Sequence, residues 1–176
     1  MARWRSMSDD QSSVRVSRVI AASADVIFDL VSRPQVHAVF DGSDMLRGSV
    51  DEQMITAVGD TFTIKMHRLG RDYEMINHVV VFEPGYRLVW EPSPGDIDTA
   101  GGDPQRIGVP SGYRWGFELR PLSETATDVT EIFECGAETN QWILASDGGT
   151  WINGSTTVKD SMTRTLEKLE QLACGT

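Results

Sequence analysis

Hydrophobic positions recur at every second residue over most of this chain, and at every third or fourth near its end. The first period is one face of a strand; the second is one stripe of a helix. The stretch "VRVSRVIAA" (14–22) alternates and is rich in Val and Ile, which predicts a strand. In "SADVIFDLVSRP", Ser23 is placed to cap a short helix and Asp25 sits in its first turn, where the helix dipole favours an anion. Pro34 ends that run. "PQVHAVFDGS" (34–43) allows a second short helix, stopped at Asp41-Gly42.

From there the pattern predicts six strands, over 46–50, 60–68, 71–82, 86–91, 113–122 and 127–135. Leu69-Gly70, Pro84-Gly85 and "SETA" (123–126) supply turns. Phe62, Ile64 and Met66 share one face of their strand, as do Tyr73, Met75, Asn77, Val79 and Val81 of the next. Tyr86, Leu88 and Trp90 continue the series, followed by Tyr113, Trp115, Phe117 and Leu119. Apolar-in, polar-out alternation on successive hairpins predicts an antiparallel sheet with one solvated face.

The period then changes. Trp151/Ile152, Ser155, Val158, Met162, Leu166, Leu169 and Ala173 recur at helical spacing, and Gly175 is a stop signal. This predicts a C-terminal helix of about twenty residues, with its stripe buried on the sheet's concave face.

Two long connections interrupt the pattern. Residues 91–112, "EPSPGDIDTAGGDPQRIGVPSG", hold four of seven prolines and five of sixteen glycines. Structureless loops beyond about 12–15 residues are usually functional or disordered. The strands on both sides carry the same alternation, and the segment that follows has no core of its own. The stretch is therefore expected to be a loop within one sheet rather than a linker. The second connection, 136–154, contains Trp142 and Trp151. Residues 1–12 are polar and expected to be disordered; 13–174 are expected to form a single domain.

Composition narrows the function. At 176 residues the chain is of ordinary domain size, and a net charge of −10 argues against nucleic acid or an anionic membrane as partner. No stretch approaches the roughly 18 apolar residues of a spanning helix, so membrane insertion is not expected. Arg3 and Arg5 precede no apolar run. Cys135 and Cys174 form no Cys-x-x-Cys pair, and a reduced, cytoplasmic protein is the simplest reading.

Candidate chemistry is sparse. His37, His67 and His78 show no metal-ligand spacing, so no metal is expected, and no cofactor motif is present. No Gly-x-Ser-x-Gly elbow occurs, and neither cysteine has a local activating partner. Asp147-Gly148-Gly149-Thr150 reads as an ordinary turn or as an anion-binding nest. In "TDVTEIFEC", Val129, Glu131, Phe133 and Cys135 share one face. Turned inward, Glu131 is a carboxyl on an apolar wall, raised in proton affinity as a general acid needs; otherwise it pairs with an arginine or this edge of the face is solvated. Tyr73 and Asn77 are the other catalytic candidates. Alternation and helical period aim Tyr73, Met75, Asn77, Trp90, Tyr113, Trp115, Phe117, Val158, Met162 and Leu166 inward, as the lining of a ligand cavity or as a filled core.

The element order resembles the helix-grip fold of the START-like superfamily, which includes birch-pollen-allergen-like proteins and the polyketide cyclase/dehydrase and lipid-transport group (SRPBCC). "VSRVIAASADVIFDLVSRP", "GDTFTIKMHR", "YRLVWE" and "ATDVTEIFE" carry the resemblance. Ser32-Arg33-Pro34 stands where the family usually has Asp before Pro, and Phe40 represents the aromatic of the second short helix. The resemblance implies an α+β helix-grip fold: a seven-stranded antiparallel sheet wrapped around a long C-terminal helix, with two short helices between the first two strands and a cavity between sheet and helix. It implies binding of a small hydrophobic ligand such as a lipid or polyketide. The alternatives are a polyketide cyclase or dehydratase and a co-chaperone-like interaction module. It also puts both long connections at the cavity mouth, which makes 91–112 a candidate gate. Oligomeric state stays open.

Overall fold

Strand β1 (Ser13–Ile20) is followed by helices α1 (Ala24–Val31) and α2 (Pro34–Phe40), then by strands β2 (Leu46–Ser49), β3 (Thr61–Arg68), β4 (Arg71–Glu83), β5 (Arg87–Asp98), β6 (Tyr113–Ser123) and β7 (Ala126–Cys135). A short hairpin of β8 (Trp151–Asn153) and β9 (Thr156–Thr157) leads into helix α3 (Val158–Cys174). The computed structural model describes residues 13–135, 151–153 and 156–175. The expected disorder of 1–12, Trp142 and the 147–150 turn lie outside the described residues.

The seven long strands form one antiparallel sheet in the order β1-β7-β6-β5-β4-β3-β2. Bulges near Gly48, in β5 between Pro94 and Asp98, in β4 after Val79, and near Ser123 bend it into a half-barrel. This is the α+β helix-grip fold, with both short helices between the first two strands.

Local signals account for the helices. The Ser23 hydroxyl accepts from Val26 N–H at the start of α1. Pro34 opens α2, where a missing N–H costs nothing. Thr157 and Asp160 form a capping box at the start of α3, and Gly175 ends it at φ 68°. Along α3, Val158, Met162, Leu166 and Leu169 are buried, and Ser161 and Thr165 are buried with them.

Three expectations are corrected. The C-terminal helix starts at Val158; Trp151–Asn153 is extended and pairs with Thr156–Thr157, so the capping box rather than the apolar stripe sets the start. Residues 91–98 are not loop but the second half of β5, in register with β4 as far as Tyr73↔Asp98. Pro92 and Pro94 are tolerated because β6 pairs only with Arg87–Trp90, which leaves their edge without a neighbouring strand. Their carbonyls instead accept from Ser111 and Gly108, which straps segment 99–112 along that edge. The third correction is in β4, where the bulge after Val79 reverses the phase. Phe82 packs on the core, and Val81 lies opposite Val89.

Helix α3 is held where α2 ends. Gly42 N–H donates to Thr165 Oγ1 at 3.0 Å, and Lys168 Nζ donates to the Asp41 carbonyl at 2.6 Å. A Cβ on Gly42 would stand 2.0 Å from Ser161 O and 2.5 Å from Thr165 N. Only hydrogen fits at that crossing. No helix among the described residues is long and apolar enough to cross a membrane. Gly42→Ala is expected to cost about 3 kcal/mol or more in urea denaturation, because backbone must move to admit the methyl; a loss below about 1 kcal/mol would show that the crossing has room to spare.

Candidate functional site

A cavity of about 390 Å³ lies between the concave sheet face and the helices α2 and α3. That is within the size range of small-molecule sites, about 300–1,000 Å³. Phe62, Ile64 and Met66 of β3, Tyr73, Met75 and Asn77 of β4, and Trp90 and Pro92 of β5 form one wall. Tyr113, Trp115 and Phe117 of β6 and Glu131 and Phe133 of β7 form the other. Val158, Ser161 and Thr165 close it from α3; His37, Phe40, Asp41, Ser43 and Met45 close it from α2 and the turn that follows. The strand residues arrive there by simple alternation from antiparallel register.

The aromatic rings fall into two groups. Trp90 stacks on His37 at 5.7 Å, meets Phe62 edge-on at 5.5 Å and lies 6.2 Å from Phe117. Phe133 stands 4.4 Å from Trp115 and 5.8 Å from Tyr113. These contacts fix ring orientations and make a rigid apolar wall.

Several polar groups around the cavity are fixed by hydrogen bonds. His37 Nε2 is 2.8 Å from the Val31 carbonyl. A carbonyl only accepts, so Nε2 carries the proton. Burial pushes the His37 pKa down to about 4, against smaller opposing effects of the Val31 hydrogen bond and Asp41, so the ring is neutral at physiological pH. Asp41 accepts from Ser43 N–H, the Ser43 hydroxyl, Met45 N–H and Leu46 N–H at 2.7–3.0 Å, which ties down the turn between α2 and β2. Asn77 is 5% exposed and spends its amide on the carbonyls of Phe62 and Met75. Burial raises the Tyr73 phenol and pushes that of Tyr113 up to about 12, so both stay protonated. The Arg71 guanidinium lies over the Tyr73 ring at 5.1 Å.

Glu131 stands apart. It is 7% exposed, and its Oε2 has no hydrogen-bond partner among the described residues. Burial drives its pKa well above the usual carboxyl value, the nearby Asp41 carboxyl pushes the same way, and the Thr165 hydroxyl opposes weakly. No arginine among the described residues forms an ion pair with it. The arginines of the neighbouring strands make their ion pairs with other carboxylates, Arg15 with Glu118 and Arg114 with Glu91.

The structure brings eight of the ten expected lining residues to the cavity: Tyr73, Met75, Asn77, Trp90, Tyr113, Trp115, Phe117 and Val158. Met162 and Leu166 are corrected. Both are completely buried in the core beneath α3, because the helix presents Val158, Ser161 and Thr165 to the cavity instead. Unforeseen were His37, Asp41, Ser43 and Met45 around α2, and Ser161 and Thr165. The last two were legible as polar breaks in the apolar stripe of α3. His37 was legible too, three residues from both Pro34 and Phe40 on one helix face. His67 pairs with Asp72 and His78 with Ser93, away from His37, and no group of three His, Cys, Asp or Glu among the described residues could hold a metal ion.

No protein-family profile matches the sequence. Over 127 residues it is 32% identical to the uncharacterized protein Rv0088 of Mycobacterium tuberculosis, covering 71% of this chain and 49% of that protein. The chain spans about half the length of the curated relatives it matches. A crystal structure of a Nitrosomonas europaea protein superposes with a TM-score of 0.66 at 16% identity, covering 95% of this chain and 97% of that one. Ginseng major latex-like protein 151 from Panax ginseng gives 0.59 at 11% identity, covering 93% and 97%. At these identities the likeness is one of fold. The chain is thus a helix-grip protein with a cavity between sheet and helix.

The buried acids and bases affect stability in opposite directions. His37 has a folded pKa below its ordinary value, so its contribution is lost as pH falls from 6.5 toward about 4. Glu131 has a folded pKa above its unfolded value near 4.5, so stability is lost as pH rises beyond 4.5. Glu131→Gln removes only the second effect. In paired urea titrations its stability relative to wild type is expected to grow above pH 4.5, by up to about 1.4 kcal/mol per pH unit until Glu131 ionises. Parallel profiles for the two proteins would mean that Glu131 is already charged in the folded state.

Proposed function

We propose that this chain binds a small hydrophobic molecule, such as a lipid or polyketide, in the cavity between its sheet and α3. The observation that carries the reading is an aromatic-walled cavity with a few fixed polar groups at its floor, the usual composition of a ligand site. Tyr73, Met75, Asn77, Trp90, Tyr113, Trp115, Phe117 and Val158 are its contacts. Burying roughly 250 Å² of apolar ligand surface at about 25 cal/mol per Å² yields about 6 kcal/mol, before the costs of association. The sequence resemblance supports placing 13–174 as one START-like domain with the polyketide cyclase and lipid-transport group.

A second reading, an enzyme of the cyclase or dehydratase type, is favoured by one observation: the buried carboxyl of Glu131 within the cavity wall. In it Glu131 is the proton donor. It predicts that Glu131→Gln retains ligand and loses turnover.

The strap 99–112 is the proposed gate. Its C-terminal end adjoins two residues that line the cavity, Pro92 through the Ser111 N–H and Tyr113 through the chain. The deletion that tests it must spare Asp98, whose carboxylate pairs with Arg71 and holds the end of β5.

Diphenylhexatriene, a fluorescent hydrocarbon, is expected to bind saturably at one site per chain. Met75→Trp fills the cavity and should abolish uptake while circular dichroism and melting stay near wild type. Trp115→Ala should weaken binding about tenfold. A folded wild-type protein that excludes the probe at all concentrations rules the reading out. Removing residues 100–107 should leave the fold intact and speed probe exchange several-fold; unchanged stopped-flow rates would make the strap a passive insertion.

A further inference from the structure

The cavity has two chemically different ends. Along the inner face of β3, Phe62 and Ile64 are buried, Met66 is half-buried and Arg68 is exposed, and all four line the space. The next walls repeat the gradient. On β4, Asn77 is buried and Tyr73 half-buried; on β6, Phe117 is buried and Tyr113 half-buried. Arg68, Tyr73 and Tyr113 therefore mark the open end. Six residues of strand, about 20 Å, separate Arg68 from Phe62. The acids of the lining are buried instead. Glu131 lies beside Phe117 in the register, and the Asp41 carboxylate ties down the turn after α2.

The open end presents donors. Burial raises both phenols and the charge of Arg68 opposes this in each, so the three groups lie within electrostatic reach of one another across the opening. Protonated phenols donate. Neither hydroxyl has a hydrogen-bond partner among the described residues, although a tyrosine on an apolar wall usually finds one. Arg71 is committed elsewhere: its guanidinium lies over the Tyr73 ring and pairs with Asp98. Arg68 is the one lysine or arginine among the described lining residues. Its planar fork of five N–H donors matches a carboxylate side by side and still leaves donors for its contact within the protein.

An anion is thus favoured at one end and disfavoured at the other. At the open end it meets a guanidinium and two phenol hydroxyls. At the closed end it would meet Glu131 and Asp41 against apolar walls, where burying a charge is costly. We propose that the ligand is an amphiphile with a carboxylate head, which enters tail first and leaves its carboxylate at the open end, held by the Arg68 guanidinium and the hydroxyls of Tyr73 and Tyr113. The proposal rests on the cavity-binding reading and adds the class of ligand and its direction.

Its test compares cis-parinaric acid, a fluorescent fatty acid, with its uncharged methyl ester, at about pH 8 where the acid is ionised. Wild type should bind the acid about tenfold more tightly than the ester. Arg68→Gln, a change at an exposed side chain, should bring the acid down to the affinity of the ester and leave the ester within about twofold of wild type. The double variant Tyr73→Phe, Tyr113→Phe, which removes only the hydroxyls, should weaken the acid about threefold or more. Added salt should narrow the preference in wild type and not in Arg68→Gln. A wild type that binds acid and ester equally overturns the proposal, as does Arg68→Gln with unchanged affinity for the acid. A wild type that takes up diphenylhexatriene and refuses the acid overturns it too, and leaves the cavity reading standing. A wild type that takes up none of the three probes overturns the cavity reading itself, and this proposal with it.

Discussion

A curled sheet must cover its concave face, and a single helix is too narrow to do so. Seven strands about 4.8 Å apart span roughly 29 Å, whereas a helix with its side chains is about 10–12 Å across. Here α3 packs against β1, β7 and α2. That leaves the inner faces of β3, β4, β5 and β6 with little helix opposite them. Long aromatic and thioether side chains reduce the gap but do not fill it, and the remainder is the cavity. The site therefore follows from a mismatch between two secondary-structure dimensions, with particular side chains setting its shape.

The crossing of the α2 end over α3 sets how far the helix is held from the sheet. Gly42 allows backbone to meet backbone, and its N–H donates to the Thr165 hydroxyl at the cavity floor. Asp41 gathers its donors from the next few residues and so aims the chain into β2. Structural support and site chemistry thus share the same residues. The floor of the cavity is as rigid as the helix crossing that makes it.

The convex face has a different economy. Val89 and Ile132 are buried on the outside of the sheet, where Gly116 lies beside both strands and leaves no side chain of its own. A Cβ there would stand 2.3 Å from Leu88 O. Arg15 and Arg114 lie in register beside Ile132 and Glu134, and their ion pairs with Glu118 and Glu91 hold the long stems over this apolar strip. Such exposed or half-exposed pairs contribute little energy by themselves. Their effect is to cover a surface that would otherwise invite another sheet.

What the sequence by itself determined is periodicity, and with it the order of elements and the face each strand turns inward. Trp90, Tyr113, Trp115, Phe117 and Glu131 were assignable because a strand's side chains alternate regardless of context. The limits of that rule were local. One extra residue in β4 inverted the phase between Val79 and Phe82, and nothing in "HVVVF" marks it. Prolines at 92 and 94 read as a loop because a proline cannot join a ladder on both sides; that one side was empty is a property of how far β6 extends. On α3, periodicity found the buried stripe but not which part of it meets the cavity. Met162 and Leu166 lie in the core, and Ser161 and Thr165 at its edge face the open space. The union of His37, Asp41, Thr165 and Glu131 at one floor was decided only by tertiary structure, because helix rotation and the Gly42 crossing are set by packing between segments more than a hundred residues apart, where no local period reaches.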